Sequence, residues 1–558
     1  MGVVVWCADK PAAPSTFELD KAKQEAIWLA EHVTFKIEFH LGKVWKQTAK
    51  SGDAAAFRKL FTEDAVLGAA APQSPNARSS TGILEHRRNG NGPTKETAID
   101  HVIAGFAPFG KISEFKTHRL KVLQVQRIDE ANWTATLLHD AIGADADGKP
   151  LEIQQIYSAG LRFESADSID AKSRVFTRLV FEEETLRHAG GWLFEEATEA
   201  AGLDWLPLPD NWKLPARQRR EFRHQIAVED FDRDGWLDLA LATIEGHRML
   251  LRGRPGGKFE LAGTAMGIPS RPGLKKVLRY SFVAWIDYDD DGYPDLMMGE
   301  KLYRNEGGKK FVDVTARAGI KIDRVPMGAT VGDYDRDGDL DLYISYLKRF
   351  RKGVSEFRPW VGDVDSGGEN ALWRNNGDGS FTEVTVESGS SAWKRQTFAS
   401  IYFYYDDDLH PDLYVANDFG ENVLLRNKGD GTFEDITKGL GIGDYSTSMG
   451  VSAGDLDNDG ENELYVANMF SKMGRRIIGH VGAEDYPEGV FEQIQGSCAG
   501  NRLYRKSGGS FQEQSVPAGV NEVGWAYAPA MTDLNGDGLL DLYATTGFMS
   551  YDPAEPDG

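Results

Sequence analysis

The sequence predicts a mainly β chain, an α+β cone-like domain followed by a β-propeller. Three observations predict it. An aspartate-rich loop recurs six times in the last two thirds of the 558 residues. A Phe-x-acid-x-Thr-x-x-x-Gly-Ile element alternates with that loop. Residues 15–180 lack the loop and read as helices followed by long alternating strands. Composition bounds the function. Hydrophobic residues are 41% of the chain and the formal net charge is −23, so general disorder is excluded. An acidic balance argues against nucleic-acid binding, because phosphate affinity needs a basic surface. No stretch reaches the ~20 apolar residues of a membrane span. The 61 glycines imply many tight turns.

In chain order, residues 1–14 are expected to be disordered or the remnant of a signal peptide, although a basic n-region is missing. Cys7 and Cys498 make neither a disulfide framework nor a multi-cysteine zinc site. Residues 15–180 form the first domain. Ile27 to Lys50 reads as a helix through Val33, Ile37, Leu41, Val44 and Thr48, while Val33 to Phe39 also alternates like a strand. Ser51-Gly52-Asp53 caps a second helix holding Phe57, Leu60 and Phe61. Ala69 to Pro93, rich in Gly, Pro, Asn and Ser, reads as a loop or lid. His118 to Arg127, Trp133 to Ile142 and Leu151 to Phe163 are strands. Ser51 to Val66 resembles the SnoaL-like branch of the nuclear transport factor 2-like folds. That resemblance implies a cone able to hold an apolar pocket with an acid–base pair, for which His101, His139 and Asp140 are candidates. His139 and Asp140 are strand neighbours, so their side chains point to opposite faces and make no dyad. Core or surface histidines are the expected reading.

Residues 181–558 form the propeller. The acidic loop reads Asp230-Phe-Asp232-Arg-Asp234-Gly235-Trp-Leu-Asp238 and returns at Asp287, Asp333, Asp455 and Asp533, with a damaged copy from Tyr404. One strand enters the loop and one leaves it, and a hairpin follows, with Leu302-Tyr303-Arg304-Asn305 and Phe311 to Ile320 as its strands. Four short antiparallel strands repeated every 46 to 78 residues describe propeller blades. Dispersed solenoid hairpins are the alternative. The last copy lacks its second hairpin, and Phe194 to Leu203, with Arg187 and Gly190-Gly191, matches the missing piece in register. A six-bladed ring closed by strands near 185–198 follows, with seven blades the alternative count.

Positions 1, 3, 5 and 9 of each intact loop carry oxygen side chains. These are Asp230, Asp232, Asp234 and Asp238; Asp287, Asp289, Asp291 and Asp295; Asp333, Asp335, Asp337 and Asp341; Asp455, Asp457, Asp459 and Glu463; and Asp533, Asn535, Asp537 and Asp541. Position 6 is Gly, which permits a sharp turn. Hard oxygens at this spacing suit Ca²⁺, which accepts six to eight of them, in about five sites. Position 12 falls inside a strand rather than supplying a bidentate Glu, so the loop is not an EF-hand. The damaged copy keeps Asp406, Asp408 and Asp412 but has Tyr404 and Leu409 for Asp and Gly, and is expected to be weak or empty.

The loops resemble the FG-GAP/VCBS repeat superfamily. Gly429 to Thr437, Tyr414 to Asp418 and Gly524-Trp525 resemble the ASPIC/UnbV (cartilage acidic protein-like) group. The resemblance spans roughly Thr185 to Gly547 and implies a secreted or periplasmic, calcium-stabilised propeller that binds extracellular glycan or protein. No catalytic or organic-cofactor signature is found. A polysaccharide lyase or hydrolase on the propeller, or a small-molecule enzyme in the cone, is the alternative. The longest insertions, Tyr346 to Glu369 and Met469 to Gly500, follow the second strands of their repeats and are expected on the face opposite the acidic loops. They carry Arg349, Arg351, Trp360, Arg475, Arg476, His480 and Tyr486. Of these, Trp360, Arg475, Arg476 and His480 are the candidate ligand face.

Overall fold

The structure, a computed structural model, describes residues 19–71, 77–80, 82–93, 98–206, 224–243, 247–269, 282–322, 324, 326–347, 368–393 and 395–547. Residues 1–14 and Arg349, Arg351 and Trp360 lie outside them. The chain divides into two compact units, Glu18–Glu196 with Lys472–Asp485, and Ala197–Ser471 with Tyr486–Ser550.

In the first unit α1 (Lys21–Lys36) starts at Asp20, whose Oδ1 accepts the Ala22 N–H at 2.9 Å. One π turn over Ile37–Leu41 carries it into α2 (Gly42–Ser51), which ends at Gly52 with φ 73°. Val33, Ile37, Leu41 and Trp45 are fully buried, so the helical stripe prevails over the short alternation from Val33 to Phe39. The second helix is a single turn, Ala55–Arg58, and Phe61 already opens β1 (Phe61–Gly68). The stretch read as a loop or lid instead contains β2 (Ala77–Ser80) and β3 (Ile83–Asn89). Their pairing with each other, and of β3 with β7, overrides the local turn composition.

The long strands are β4 (Glu114–Arg127), β5 (Asn132–Ala144), β6 (Pro150–Arg162) and β7 (Phe176–Ala189). The sheet runs β2-β3-β7-β6-β5-β4, with β1 parallel to β7. Register shifts in the β4–β5 and β6–β7 ladders are bulges that curl the sheet into a half-barrel. Trp45 packs in its hollow, with ring centroids 5.1 to 5.3 Å from Phe57, Phe106 and Tyr157. Among the described residues these rings occupy the hollow.

The second unit repeats one pattern. The first three sheets are four-stranded and antiparallel: β8 (His224–Glu229) to β11 (Lys258–Leu261), β12 (Val283–Ile286) to β15 (Phe311–Asp313), and β16 (Pro326–Gly332) to β19 (Phe381–Glu383). The next two, β20 (Gln396–Phe403) to β23 (Phe433–Asp435) and β24 (Tyr445–Gly454) to β27 (Ser510–Glu513), are joined through β21 (Asp412–Glu421) and β24. A last pair, β28 (Ala526–Thr532) and β29 (Asp541–Thr546), follows. The first strand of each sheet packs on the first strand of the next. The layers between are apolar, for example Met297, Leu302, Ile344 and Trp373 between the second and third sheets.

The strands expected near 185–198 are placed differently. Thr185 to Ala189 complete β7, paired on one side with β3 and on the other with β6. Leu186 enters the first unit's core, and Arg187 bridges Glu85 and Glu152 at 2.8 and 2.9 Å. The unit boundary accordingly falls after Glu196 rather than at 180. Phe194 is 59% exposed, whereas its counterparts Phe311, Phe381, Phe433 and Phe511 are buried. The second half of the match does hold. Leu203 N–H bonds Thr198 O at 2.8 Å, as Val520 N–H bonds Ser515 O at 2.9 Å. Ala201 O accepts from Phe259 N–H at 3.0 Å, as Met266 O does from Phe311 N–H at 2.7 Å.

Buried asparagines tie consecutive sheets together. Asn305, Asn375 and Asn427 end the third strands of their sheets. Each donates from Nδ2 to a carbonyl of the preceding sheet's acidic loop: Phe231 O at 2.8 Å, Tyr288 O at 2.7 Å and Tyr334 O at 2.7 Å. Each Oδ1 accepts a glycine N–H of the following turn. Truncation strands buried partners on both sides. Asn427→Ala is expected to lower the unfolding free energy by about 2–3 kcal/mol. Exposed Asn376→Ala is expected to cost under about 0.5 kcal/mol. Urea denaturation of the two variants checks this.

Candidate metal-binding loops

Each loop is folded by its own carboxylates. The first aspartate accepts backbone N–H groups from positions 5 and 6. Asp230 takes those of Asp234 and Gly235 at 3.1 and 2.9 Å, and Asp455 those of Asp459 and Gly460 at 3.0 and 2.9 Å. Asp333 does the same with Asp337 and Gly338. The aspartate at position 5 then accepts the N–H of position 7. Side-chain bonds of this kind compete with regular structure and make a compact turn. Gly338 sits at φ 100°, as its role required. Position 4 is also left-handed, in Arg233, Asp290, Arg336 and Asn458, with φ between 50° and 61°. No residue type in the sequence marks it.

The turn gathers the acids. Among the described residues, four loops bring three carboxylates together with one oxygen of each within 4.8 Å of the others. They are Asp230, Asp232 and Asp234; Asp287, Asp289 and Asp291; Asp333, Asp335 and Asp341; and Asp455, Asp457 and Glu463. Asp232 Oδ1, Asp287 Oδ1, Asp289 Oδ1, Asp335 Oδ1 and Glu463 Oε1 are buried and accept no hydrogen bond. A buried carboxylate oxygen without a donor is costly, and hard oxygens so placed fit a divalent cation. In the last loop Asn535 replaces the third-position acid, while Asp533 keeps its bonds to the N–H groups of Asp537 and Gly538 at 3.1 and 2.8 Å.

The position-9 acid carries a second role that ligand spacing alone did not suggest. Its two oxygens join the loop to the third strand. Asp295 accepts Tyr288 N–H at 3.1 Å and Asn305 N–H at 2.6 Å. Asp341 accepts Tyr334 N–H at 3.0 Å and Asn375 N–H at 2.8 Å. In the damaged loop Asp412 still accepts Tyr405 N–H and Asn427 N–H, both at 2.8 Å.

A recurring third-strand arginine faces the third-position acid: Arg252 to Asp232 at 2.7 Å, Arg304 to Asp289 at 2.5 Å and Arg505 to Asp457 at 2.9 Å. The repeated Leu-Tyr-Arg-Asn spelling was the available signal. Arg426 likewise pairs with Asp406 and Asp408 of the damaged loop at 2.7 and 3.3 Å. Tyr404, at the first position there, has no carboxylate to fold the turn, yet Leu409 still holds φ 64° at the glycine position.

Of the candidate ligand-face residues, Trp360 lies outside the described residues and Arg476 is turned inward. Arg476 is only 8% exposed, and its guanidinium pairs with both oxygens of Glu31 at 2.7 and 2.6 Å and donates to Val122 O at 2.8 Å. Its helix, Lys472–Ile478, which also carries Arg475, belongs to the first unit. His480 is partly buried there, which lowers its pKa. In the half-barrel, His101 is exposed. His139 is buried against Phe109, with Nε2 3.0 Å from His118 Nε2, and burial holds both imidazoles neutral. Asp140 turns the other way to Arg119 at 2.6 Å, so the acid and the histidine lie on opposite faces as the alternation required.

Residues 230–298 and 405–466 match the FG-GAP-like repeat family. The chain carries FG-GAP-like repeats. It is 31% identical over 383 residues to cartilage acidic protein 1 of Xenopus tropicalis, covering 59% of this chain and 58% of that one. To the Homo sapiens protein of the same name it is 22% identical over 386 residues, covering 59% and 56%. It therefore spans a little over half the length of these curated relatives. The crystal structure of the V. cholerae biofilm matrix protein Bap1 aligns at 11% identity and TM-score 0.28, covering 75% of this chain and 76% of that one. Among the described residues no helix is long and apolar enough to cross a membrane.

Burial raises Asp295 and Asp341 to about 8, and Asp238 and Asp412 to about 6, with neighbouring carboxylates adding to the effect and backbone N–H bonds opposing it. Without a cation the folded chain holds these protons above the ordinary value of 3.8, so it binds more protons than the unfolded chain between about pH 4 and 8. Their contribution to stability is present at low pH and lost as pH rises through that window. In EDTA the denaturation midpoint is expected to be lower at pH 8 than at pH 5, and a saturating divalent cation is expected to remove or reverse the difference. A midpoint in EDTA that rises with pH contradicts this.

Proposed function

We propose that the repeat region is a calcium-stabilised scaffold that binds extracellular or periplasmic glycan or protein. The observation that carries the calcium reading is the set of buried, donorless carboxylate oxygens in loops that also converge three acids each. Ca²⁺ suits them better than Mg²⁺, which demands strict octahedral geometry and keeps its waters. The first, second, third and fifth loops in chain order are the strong sites, held by the acids at positions 1, 3, 5 and 9. The last loop adds a fifth site through Asp533, Asn535, Asp537 and Asp541. The loop at Asp406, Asp408 and Asp412 is the weak or empty one, because Arg426 neutralises it and its first ligand is Tyr404.

The six acidic loops make a six-bladed propeller the favoured reading. Face-to-face packing of successive sheets supports it, as does the turn from Thr198 to Leu203, which lies on β11 in the manner of an outer element from a preceding blade. A binding role, outside the cell or in the periplasm, is supported by the similarity to cartilage acidic protein 1 and by a rigid scaffold that presents loops.

Calorimetry with Ca²⁺ and EDTA tests this reading. Chelation is expected to lower the melting temperature and Ca²⁺ to restore it, since a ligand at 100–1,000 times its dissociation constant contributes about 3–4 kcal/mol per site. Asp335→Asn is expected to remove one site and a share of that gain, and Asp406→Asn to remove none. An unchanged melting curve in a demonstrably metal-free sample would sink the proposal.

A further inference from the structure

The fourth repeat departs from its neighbours in several places that lie together. Its acidic loop is the damaged one, from Tyr404 to Leu413. At the junction with the fifth sheet, the position held elsewhere by Asn305, Asn375 and Asn427 is Lys506. It reaches Glu461 at 2.7 Å instead of the preceding loop. Its outer turn, Thr437-Lys-Gly-Leu-Gly-Ile-Gly443, is glycine-rich and forms no helix, whereas the corresponding turns of the second, third and fifth sheets form one helical turn at Thr315–Ala318, Thr385–Ser388 and Ser515–Ala518. A cleft of about 900 Å³ opens beside it, with Tyr405, Glu434 and Lys506 in its wall. A second cleft, of about 380 Å³, includes Arg395, Glu421 and Asp444. Asp435, Lys438 and Gly439 belong to both.

Beside Asp435 is Trp393. It is 61% exposed, and its indole Nε1 donates to Asp435 Oδ2 at 3.3 Å. Trp393 and the preceding Ala392 have φ 64° and 49°. A left-handed backbone is unfavourable for a bulky side chain, and residues kept in it cluster at functional sites. An exposed tryptophan face is itself unfavourable in water, yet here it is retained on strained backbone. Through Asp435 the exposed indole borders both polar clefts, and an aromatic face beside polar groups matches the amphipathic shape of a pyranose. The C–H face of the sugar stacks on the indole, and carboxylates such as Asp435 and Glu434 accept from its hydroxyls.

Charge decides which sugar. Arg426 is engaged by Asp406 and Asp408, Lys506 by Glu461 and Arg395 by Glu421. That leaves Lys438 against Glu434, Asp435 and Asp444, of which Asp444 is met by Arg502 at 3.0 Å. A polyanion gains nothing from such a balance. We propose that Trp393, Asp435 and Lys438 form a subsite for a neutral pyranose oligosaccharide on the fourth repeat. This rests on the reading of the repeat region as a binding scaffold and names its ligand class and place.

The test uses the full chain with Ca²⁺, titrated calorimetrically with neutral probes (mannohexaose, cellohexaose and N,N′-acetylated chitohexaose) and acidic ones (hexagalacturonate and a heparin hexasaccharide). At least one neutral probe is expected to bind, and Trp393→Gly to weaken it tenfold or more. Because glycine relieves the left-handed strain, the same variant is expected to melt at an unchanged or higher temperature. Asp435→Asn is expected to weaken binding with little change in melting. Binding of acidic probes alone, no binding of any neutral probe, neutral binding within twofold of wild type in Trp393→Gly, or a melting loss of several degrees in that variant each overturns the subsite. The calcium dependence of melting separates the outcomes: if it persists while the subsite fails, the scaffold reading stands.

Discussion

The buried carboxylate at the ninth position of the acidic loop is the contact on which the repeat depends. In the second, third and fourth repeats one of its oxygens holds the N–H of the loop's second residue and the other holds the N–H that ends the third strand. One side chain thereby sets both the return of the chain after the loop and the distance of the next hairpin. The asparagine that donates its backbone N–H to this acid donates its side chain to the loop of the preceding sheet. Carboxylate and amide together make a continuous line of buried bonds across consecutive sheets. Such a line is valuable only when complete, because a buried polar group left unpaired costs more than the bond contributes.

The damaged loop separates this role from the gathering of carboxylates in the intact loops. It lacks the first aspartate and the glycine, yet Asp412 keeps both of its bonds. Position 9 therefore serves the fold even where the first and sixth positions differ. The donorless oxygens behave in the opposite way: among the described loop carboxylates they occur in the four loops whose acids converge, and not at Asp406, Asp408 or Asp412. Third-strand arginines occur beside damaged and intact loops alike, so they belong to the repeat's general electrostatics. They neutralise part of a charge density that would otherwise act against the folded chain.

Much of this was legible in the sequence because it is local. Alternating strands around Asp-x-Asp-x-Asp-Gly announce a hairpin with a tight turn, and the damaged copy at Tyr404 shows its fault in its spelling. The alternation of β5 likewise placed His139 and Asp140 on opposite faces. What was not legible was decided by distant partners. Arg187 and Gly190-Gly191 copy the spelling of a repeat hairpin, but Leu186 has a larger apolar surface to join in the half-barrel, and β3 and β6 offer it two ladders at once. β3 comes from a segment whose glycines and prolines argue for a loop, and only its pairing with β7 makes it a strand. Arg476 looked like a solvent-facing cation, and Glu31, hundreds of residues away, claims it.

Beyond its own strands, each sheet packs chiefly on the sheets beside it, so a change in one is felt mainly at its two junctions. That property permits one repeat to drift while the others hold the architecture. The fourth differs at one of its two junctions. On one side Asn427 still binds the third loop, so that junction is intact. On the other, Lys506 has replaced the bridging asparagine and the sheets are instead joined by the β21–β24 ladder, where Asp418 to Glu421 run beside Tyr445 to Thr447. A backbone ladder can take over the mechanical task of an asparagine side chain, since main-chain groups pair whatever the residues are. Once it has done so, the outer part of the junction is free to open, and the residues there can be selected for something other than stability. Trp393 and the preceding Ala392, both left-handed without glycine, stand beside Asp435 at that opening. Strain kept at a place where the fold no longer needs those residues is better explained by surface chemistry than by packing.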